Sequence, residues 1–434
     1  MATSPLSVII LAAGKGQRMY SGFPKVLHQV GGMPLLEHVM RTASRLNAAE
    51  IIVVHGNGGN QVHEAMTHWP ITWIKQEQQL GTGHAVLQAV DKIPANHQIL
   101  ILYGDTPLIS LETLQQLLQN APPHGIALLT AQFADPTGYG RIIRDAQQHV
   151  IAIIEQRDAS LEEQRIQEIN TGILTAPAKY LQKWLPKLKP HNQQAEYYLT
   201  DIIEMAVADG CPIKSVTAQC VAEVQGINDP LQLATVERHY QALQAKKIML
   251  QGVTLLDPQR FDLRGELHAE QDVVIDVNVI IVGQVFLGAN CRVGANTVLR
   301  NVRAGANVVF KENCVVEDAE ISEGCIIGPF ARIRPGTHLA SNVHIGNFVE
   351  LKKSTLGENS KAGHLAYLGD AIIGKNVNVG AGTITCNYDG VNKNPTIIQD
   401  GAFIGSDVML VAPVTVGENA TIGAGSTISR DAPA

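Results

Sequence analysis

Short apolar blocks recur through the first half of the chain, separated by stretches with helical spacing. Ser7 to Ala13 reads SVIILAA, Glu50 to His55 reads EIIVVH, and Gln98 to Tyr103 reads QILILY. Each predicts a buried strand. Pro34 to Leu46 and His84 to Val90 predict helices between them. Strand, helix and strand at this spacing predict βαβ units and a mostly parallel sheet. In such sheets the ligand sits at the carboxyl ends of the strands.

From Asp229 to Gln251 the pattern becomes that of one long connecting helix, with Leu233, Val236, Tyr240 and Leu243 on one face. After about Thr254 the chain turns into six-residue phrases: LGANCR at Leu287, VGANTV at Val293, IGKNVN at Ile373, VGAGTI at Val379, VGENAT at Val416 and IGAGST at Ile422. A step of six fits neither a helix nor a single strand. It fits a solenoid coil with three flat faces, the aliphatic residue pointing inward and Gly, Asn or Asp taking the turn. Three phrases close one coil, so ~10 coils fit between residues 254 and 430. These phrases resemble the hexapeptide-repeat family, which implies a left-handed β-helix and association as trimers. The expected organisation is a first domain over 1–228, a linker helix over 229–251 and a solenoid domain over 252–434.

Composition agrees with two domains. A chain of 434 residues is too long for one ordinary core. With 45% hydrophobic and 17% charged residues it is globular. A formal net charge of -7 argues against a nucleic-acid partner while leaving room for a local basic pocket. The 39 glycines and 5% aromatics suit a fold of many tight turns. The cysteines Cys211, Cys220, Cys291, Cys314, Cys325 and Cys386 form no C-x-x-C pair, so buried free thiols in a reducing compartment are expected. The first apolar run has no cationic stretch ahead of it, and no run reaches the ~20 apolar residues of a membrane span. A cytoplasmic protein without membrane insertion is expected.

Chemistry begins directly after the first strand. Leu11-Ala12-Ala13-Gly14-Lys15-Gly16-Gln17-Arg18-Met19 is followed by Pro24-Lys25. A glycine-rich turn after a strand lets backbone N–H groups approach phosphate. It is not a Walker A loop, and Met19 stands where a dinucleotide fingerprint needs its third glycine. Arg18 and Lys25 supply the positive charge that the about four negative charges of a triphosphate require.

On these residues the chain resembles the sugar-1-phosphate nucleotidylyltransferases, whose first domain is Rossmann-like α/β. The family's further elements follow in order: Gln76 with Gly81-Thr82-Gly83 as the uracil-reading segment, Tyr103-Gly104-Asp105 at the end of the third strand, Gly138-Tyr139-Gly140-Arg141 as the sugar loop, then Glu155, Asn170-Thr171-Gly172 and Asn228. The resemblance implies UTP contacts at Leu11, Ala12, Ala13, Gly14, Lys25, Gln76, Gly81, Thr82, Tyr103, Gly104 and Asp105. It implies sugar contacts at Gly140, Glu155, Asn170 and Asn228. Asp105 and Asn228 become the protein ligands of Mg²⁺, an ion that prefers oxygen donors and retains water. A sugar-1-phosphate oxygen then attacks the α-phosphorus of UTP in line and pyrophosphate leaves. No protein nucleophile is required, and Lys25 and Arg18 act by positioning and charge neutralisation.

Between Val349 and Asn394 the phrases GNFVELKKS, SKAGHLAYLGD and GAGTITCNYDG carry charged and aromatic groups that a structural coil does not need, and an interruption of the solenoid is expected there. They resemble the acetyltransferase half of the bifunctional uridylyltransferase/acetyltransferases, a resemblance that covers essentially the whole chain. It implies acetyl-CoA as a co-substrate and His364 as general base, since an imidazole with a pKa near ~6.5 can take a proton from an attacking amine. Glucosamine-1-phosphate contacts map onto Arg334, Lys352, Tyr367 and Asn378. Acetyl-CoA contacts map onto Ala381, Asn387, Tyr388, Ser406 and Ala424, with Asn387 also near the sugar. Lys393 is a further cation close by.

Gln17 stands where a small hydroxyl residue is usual, and Gln156 where His is common; neither change removes a charge the chemistry uses. The chain ends at Asp431-Ala432-Pro433-Ala434, whereas the family continues with a further segment that includes an arginine contacting acetyl-CoA and a basic tail; this bears on acetyl-CoA affinity and not on the assignment. The activity implied is acetylation of glucosamine-1-phosphate followed by uridylyl transfer, giving UDP-N-acetylglucosamine for peptidoglycan and lipid A synthesis. Two rivals are a monofunctional nucleotidylyltransferase whose solenoid only oligomerises, and a non-catalytic assembly protein. His364 with Asn387-Tyr388 argues against the first, and the Gly14-to-Lys25 loop with Asp105 against the second.

Overall fold

The structure, a computed structural model, describes residues 4–56 and 58–434. Contacts divide the chain into two compact units, one up to His239 and one from Tyr240 to Ala434. In the first unit the apolar blocks are strands, Leu6–Ala12, Glu50–His55 and Gln98–Tyr103. They lie side by side with Leu6–Ala12 in the centre, parallel, and Leu11 is opposite both Val54 and Tyr103. Their uniform apolarity is explained by two covered faces. Ile9, Leu11, Ile52, Val54, Ile99 and Ile101 enter one core together with Ala85, Val86 and Ala89 of the helix Thr82–Val90. Val8, Ile10, Val53, Leu100 and Leu102 enter the other with Leu36, Val39 and Met40 of the helix Leu35–Ser44. Glu168–Pro177 enters this sheet antiparallel to both of its neighbours, and its first residues also pair with Gly140–Arg144.

The helix expected over 229–251 runs Pro230–Leu250. Its buried face differs from the expected one: Val236 is buried, but Leu243 is 44% exposed. The buried positions of its second half are Gln241, Ala245 and Ile248. The two ends of the helix answer to different units, so one straight stripe does not serve both. In the first unit Glu237 accepts from the Gly31 N–H at 2.7 Å. In the second, Gln241 accepts from the Leu263 N–H at 2.7 Å and donates to the Leu263 carbonyl at 3.0 Å.

From Thr254 onward the chain winds as a left-handed parallel β-helix of hexapeptide repeats. The phrases act as read. Leu287, Val293, Ile373, Val379, Val416 and Ile422 all point into the core. Three residues later the backbone turns left-handed at Asn290 (φ 61°), Asn296 (60°), Asn376 (56°) and Asn419 (57°). Asparagine tolerates this region because its short amide bonds locally. Here those amides also form ladders between coils: Asn278 donates to Asn296 at 3.0 Å, and Asn296 to Asn313 at 3.2 Å. Coils repeat at seventeen or eighteen residues: Val309 pairs with Ile326, Ile326 with His344, His344 with Lys361, and Lys361 with Asn378. The expected interruption is narrower than 349–394. GNFVELKKS and SKAGHLAYLGD lie in regular coils, because charged side chains that face outward leave the winding unchanged. Only the next step lengthens, Asn378 pairing with Phe403, and the segment after Cys386 forms an excursion closed by a Tyr388–Lys393 bridge.

All six cysteines are free, with Cys291, Cys314 and Cys325 buried and the other three half-buried. Among the described residues no helix is long and apolar enough to cross a membrane.

The turn ladder gives a stability test. Asn313 has φ 61°. Asn313→Gly should leave the melting transition of the second unit nearly unchanged, whereas Asn313→Val should destabilise it by about 1–2 kcal/mol, the cost of left-handed backbone for a branched residue. Calorimetry showing equal losses in the two variants would contradict the turn assignment.

Candidate functional site

The carboxyl ends of the three central strands finish together because their register is parallel. Gly104 donates its N–H to the Leu11 carbonyl at 2.9 Å, and Gln76 its N–H to the His55 carbonyl at 2.8 Å. A cavity of about 660 Å³ opens there, lined by Leu11 to Arg18, Lys25, Gln76, Gly81, Thr82, Tyr103, Asp105 and Asn228. Gly16 has φ 61°, and a Cβ on it would stand 2.7 Å from Lys25 Cβ, so glycine lets the loop close down over the lysine. Lys25 Nζ bonds the Asp105 carboxylate and reaches Asn228 Oδ1 at 3.2 Å. Its side chain is 10% exposed and that of Asp105 16%, so this is a sheltered pair rather than a surface salt bridge. The Ile227 N–H bonds the Asp105 carbonyl at 3.0 Å, tying the Asn228 segment to the end of the third strand. Arg18 is exposed on the rim and forms no ion pair among the described residues.

Gly140, Glu155 and Asn170 lie beyond Tyr103. Asn170 pairs with Gly140 across the antiparallel strands. Glu155 accepts from the Thr200 hydroxyl at 3.1 Å. Gly172, with φ 82°, leaves space for the Tyr103 ring, which a Cβ would meet at 2.5 Å. Burial, then the charges of Glu155 and Asp105, push the Tyr103 phenol far above its usual range, so it stays a neutral donor. Burial also raises the Glu155 carboxyl, helped by Asp201, Asp158 and Glu196. Gln156 accepts from Arg141 at 2.6 Å and from the Gly138 N–H at 3.2 Å, so glutamine at this position ties the Gly138 turn to the buried Arg141.

In the second unit the coil repeat stacks side chains into columns. Asn347 is in register with His364, and the same edge position recurs at Ala381, Ser406 and Ala424. Backbone bonds join neighbouring edges, the Asp407 N–H to the Ala381 carbonyl at 2.7 Å and the Gly425 N–H to the Ser406 carbonyl at 2.8 Å. His364 Nδ1 lies 2.8 Å from Asn347 Oδ1. An amide oxygen only accepts, so Nδ1 is the ring nitrogen that donates to Asn347, and the exposed ring keeps Nε2 free of that bond.

Round the next corner, Arg334 and Lys352 occupy successive coils, as do Glu350 and Tyr367. Arg334 pairs with Glu350 at 2.8 Å. Lys352 stands 3.9 Å from the Asp370 carboxylate, which accepts from the Asn387 amide. Lys393, carried back by the excursion, lies beside Lys352, whose hydrogen bond and charge lower its pKa. Three cations and two carboxylates leave one net positive charge here, suited to a phosphate monoester.

The two units thus gather most of the residues singled out in the sequence. Asn378 is an exception: it pairs with Lys361 on the face that carries His364, away from Arg334, Lys352 and Tyr367. Tyr388 is 60% exposed on the excursion. Lys15, Gln79, Arg157 and Glu196 also line the first cavity and were not singled out. Lys15 sits inside the glycine loop and Gln79 close to Gln76, so both carried a local signal; Arg157 and Glu196 arrive only through tertiary packing. Asn347 and Asp370 likewise gain meaning only from the coil repeat.

Residues 8–195 match the family described as MobA-like NTP transferase domain, and residues 318–353 and 395–430 match bacterial transferase hexapeptide (six repeats). The bifunctional protein GlmU of Coxiella burnetii (strain CbuK_Q154) is 58% identical over 429 residues, 99% of this chain and 94% of that protein. That of Methylococcus capsulatus is 55% identical over 426 residues, 98% of this chain and 92% of that protein. That of Alkalilimnicola ehrlichii is 54% identical over 428 residues, 99% and 92% of the two chains.

The acidic wall beside Glu155 predicts a pH-dependent stability. Burial, with Glu204 and Asp158 nearby, raises Asp201 to about 6. A carboxyl that binds its proton more tightly folded than unfolded makes folding most favourable below the unfolded value near ~4. That contribution is lost as pH rises through about 6. Asp201→Asn should therefore raise the first melting transition at pH 8 and flatten its fall between pH ~4 and ~6. An unchanged profile would show that Asp201 titrates normally.

Proposed function

We propose, for a chain that belongs to the family of bifunctional GlmU proteins, that its two transferase activities are carried by the two sites just described. The chain is a nucleotidyltransferase and an acyltransferase that makes UDP-N-acetylglucosamine. In our reading the solenoid site transfers acetyl from acetyl-CoA to glucosamine-1-phosphate, and the first cavity then transfers uridylyl from UTP to the acetylated sugar phosphate. The observation that carries the division of labour is that each compact unit holds its own polar cluster, Lys25 with Asp105 and Asn228 in one and His364 with Asn347 in the other.

In the first cavity the glycine loop offers backbone N–H groups to the phosphates, while Lys25 and Arg18 neutralise charge that develops on transfer. Asp105 and Asn228 fit Mg²⁺ by one test: their oxygens already converge on one cation, the Lys25 ammonium. When bound, Mg²⁺ would polarise the phosphates and stabilise the leaving pyrophosphate. Gly140, Glu155 and Asn170 would hold the sugar. In the second unit Nε2 of His364 would take a proton from the attacking amine, and Asn347 would fix the ring for that task. Arg334, Lys352 and Lys393 would hold the sugar phosphate, and Ala381, Ser406 and Ala424 would line the acetyl-CoA track.

We further read the assembly as a homotrimer. Asn378 and the Arg334–Lys352–Tyr367 group stand on different faces of one coil stack, so both reach one sugar only if a second copy supplies one of them. The nucleotide and acetyl-CoA substrates support a cytoplasmic location, and the product supports a role in building the cell wall.

Asp105→Asn should abolish most uridylyl transfer and leave acetyl transfer nearly intact. His364→Ala should do the reverse, lowering acetyl transfer by roughly 10²–10⁴-fold, mainly in kcat. Both activities and trimer content would be measured on one preparation of each variant. A His364→Ala protein with full acetyl transfer per trimer, or an Asp105→Asn protein with full uridylyl transfer, would overturn the corresponding assignment.

A further inference from the structure

Gln76 ends in the first cavity and is 2% exposed. Its Nε2 donates to the Gly81 carbonyl at 3.2 Å and lies 2.8 Å from His84 Nδ1. A carbonyl only accepts, so the amide atom facing Gly81 is the NH₂ group, and the same group must then donate to His84. His84 Nδ1 is therefore bare and accepting. Both N–H bonds of the Gln76 amide are engaged by the protein. Its oxygen has no partner among the described residues and is the atom left to face a ligand.

We propose that His84 is a specificity-positioning residue, locking the Gln76 amide with its oxygen toward the base and so selecting uracil over cytosine. The proposal rests on the reading that this cavity takes UTP. Uracil presents an N3–H donor between two carbonyls. Cytosine presents a bare N3 beside an amino group. An acceptor aimed at N3 bonds the first and opposes the lone pair of the second. For cytosine to be accommodated the amide would have to turn over, setting its oxygen against the Gly81 carbonyl and forcing the His84 proton from Nε2 to Nδ1 at the loss of the Nε2–H bond. Without the imidazole ring at position 84 only the first of those two costs remains.

His84 is well placed for this task. It sits in the first turn of the helix Thr82–Val90, half-buried, with its ring 6.2 Å from that of Tyr197. Nε2 faces the side-chain amide of Gln88, whose Nε2 lies 3.2 Å away and 3.4 Å from the His84 carbonyl; the Gln76 contact at 2.8 Å is the shorter, so Nε2 carries the ring proton and the half-buried Gln88 amide turns its oxygen to accept it. Burial lowers the pKa of the ring, partly offset by the Gln78 carbonyl, and so favours the neutral form that a bare Nδ1 requires.

The test compares kcat/KM for UTP and CTP, with N-acetylglucosamine-1-phosphate, in the full-length wild type and in His84→Phe, His84→Ala and His84→Asn. Loss of the acceptor in the Phe and Ala variants should cut the UTP-over-CTP ratio by roughly tenfold or more. The Asn side chain sets an oxygen near the place of Nδ1 and should retain most of the preference. A purely structural histidine predicts equal losses on both nucleotides and an unchanged ratio, and two independent acceptor-less variants guard against one that misfolds. A wild type that prefers UTP while both of these variants keep that preference overturns the inference alone. A wild type that turns over neither nucleotide overturns the reading of the cavity and the inference with it.

Discussion

In the second unit most strands pair with one seventeen or eighteen residues later, the step lengthening only across the excursion after Cys386, and every outward side chain inherits its neighbours from that stacking. This is why Asn347 meets His364, why Ala381, Ser406 and Ala424 continue the same edge, and why Arg334 stands one coil from Lys352. The core enforces the offset. A slip of one residue would turn the inward row of Val, Ile and Leu to solvent and bury the polar row. Each such aliphatic side chain is worth about 1.5–3 kcal/mol when buried, so tens of them hold the columns against any single unfavourable contact. The same logic acts in the first unit, where parallel pairing of Leu11 with Tyr103 brings the glycine loop to the strand end that carries Asp105.

Charge is arranged differently at the two sites. In the first cavity one sheltered lysine bridges a carboxylate and an amide oxygen, a compact polar knot that would leave an uncompensated, poorly solvated charge if either partner were removed. In the solenoid the cations are spread over successive coils and two of the three are tempered by a carboxylate, Glu350 beside Arg334 and Asp370 beside Lys352. Such pairs keep the free surface from carrying an unbalanced positive field while leaving donors directed outward. Asp370 also holds Asn387, and so anchors the excursion that returns Lys393 to the cluster.

Much of this was legible in the sequence because it is local and periodic. The buried strands announce themselves by unbroken apolar runs, and the six-residue phrase encodes both the inward aliphatic residue and the left-handed turn at Asn. The long helix misled at Leu243, because one face was expected where the two ends serve different units. The solenoid was expected to break over a wide stretch, but charged outward residues are invisible to the winding, and only the segment after Cys386 leaves it. Gly140, Glu155 and Asn170 were marked by resemblance, whereas Arg157, Glu196 and Asn347 reach their places only through packing or register. No window of sequence reports a neighbour seventeen residues away unless the repeat is already known.

The most direct measurement is a time course on the full-length wild-type chain, supplied with glucosamine-1-phosphate, acetyl-CoA, UTP and Mg²⁺. Two separate sites working in the stated order predict that N-acetylglucosamine-1-phosphate rises first and is then consumed as UDP-N-acetylglucosamine accumulates, with free coenzyme A and pyrophosphate finally released in equal amounts. UDP-glucosamine forming ahead of acetyl transfer, or release of only one of the two by-products, would contradict it.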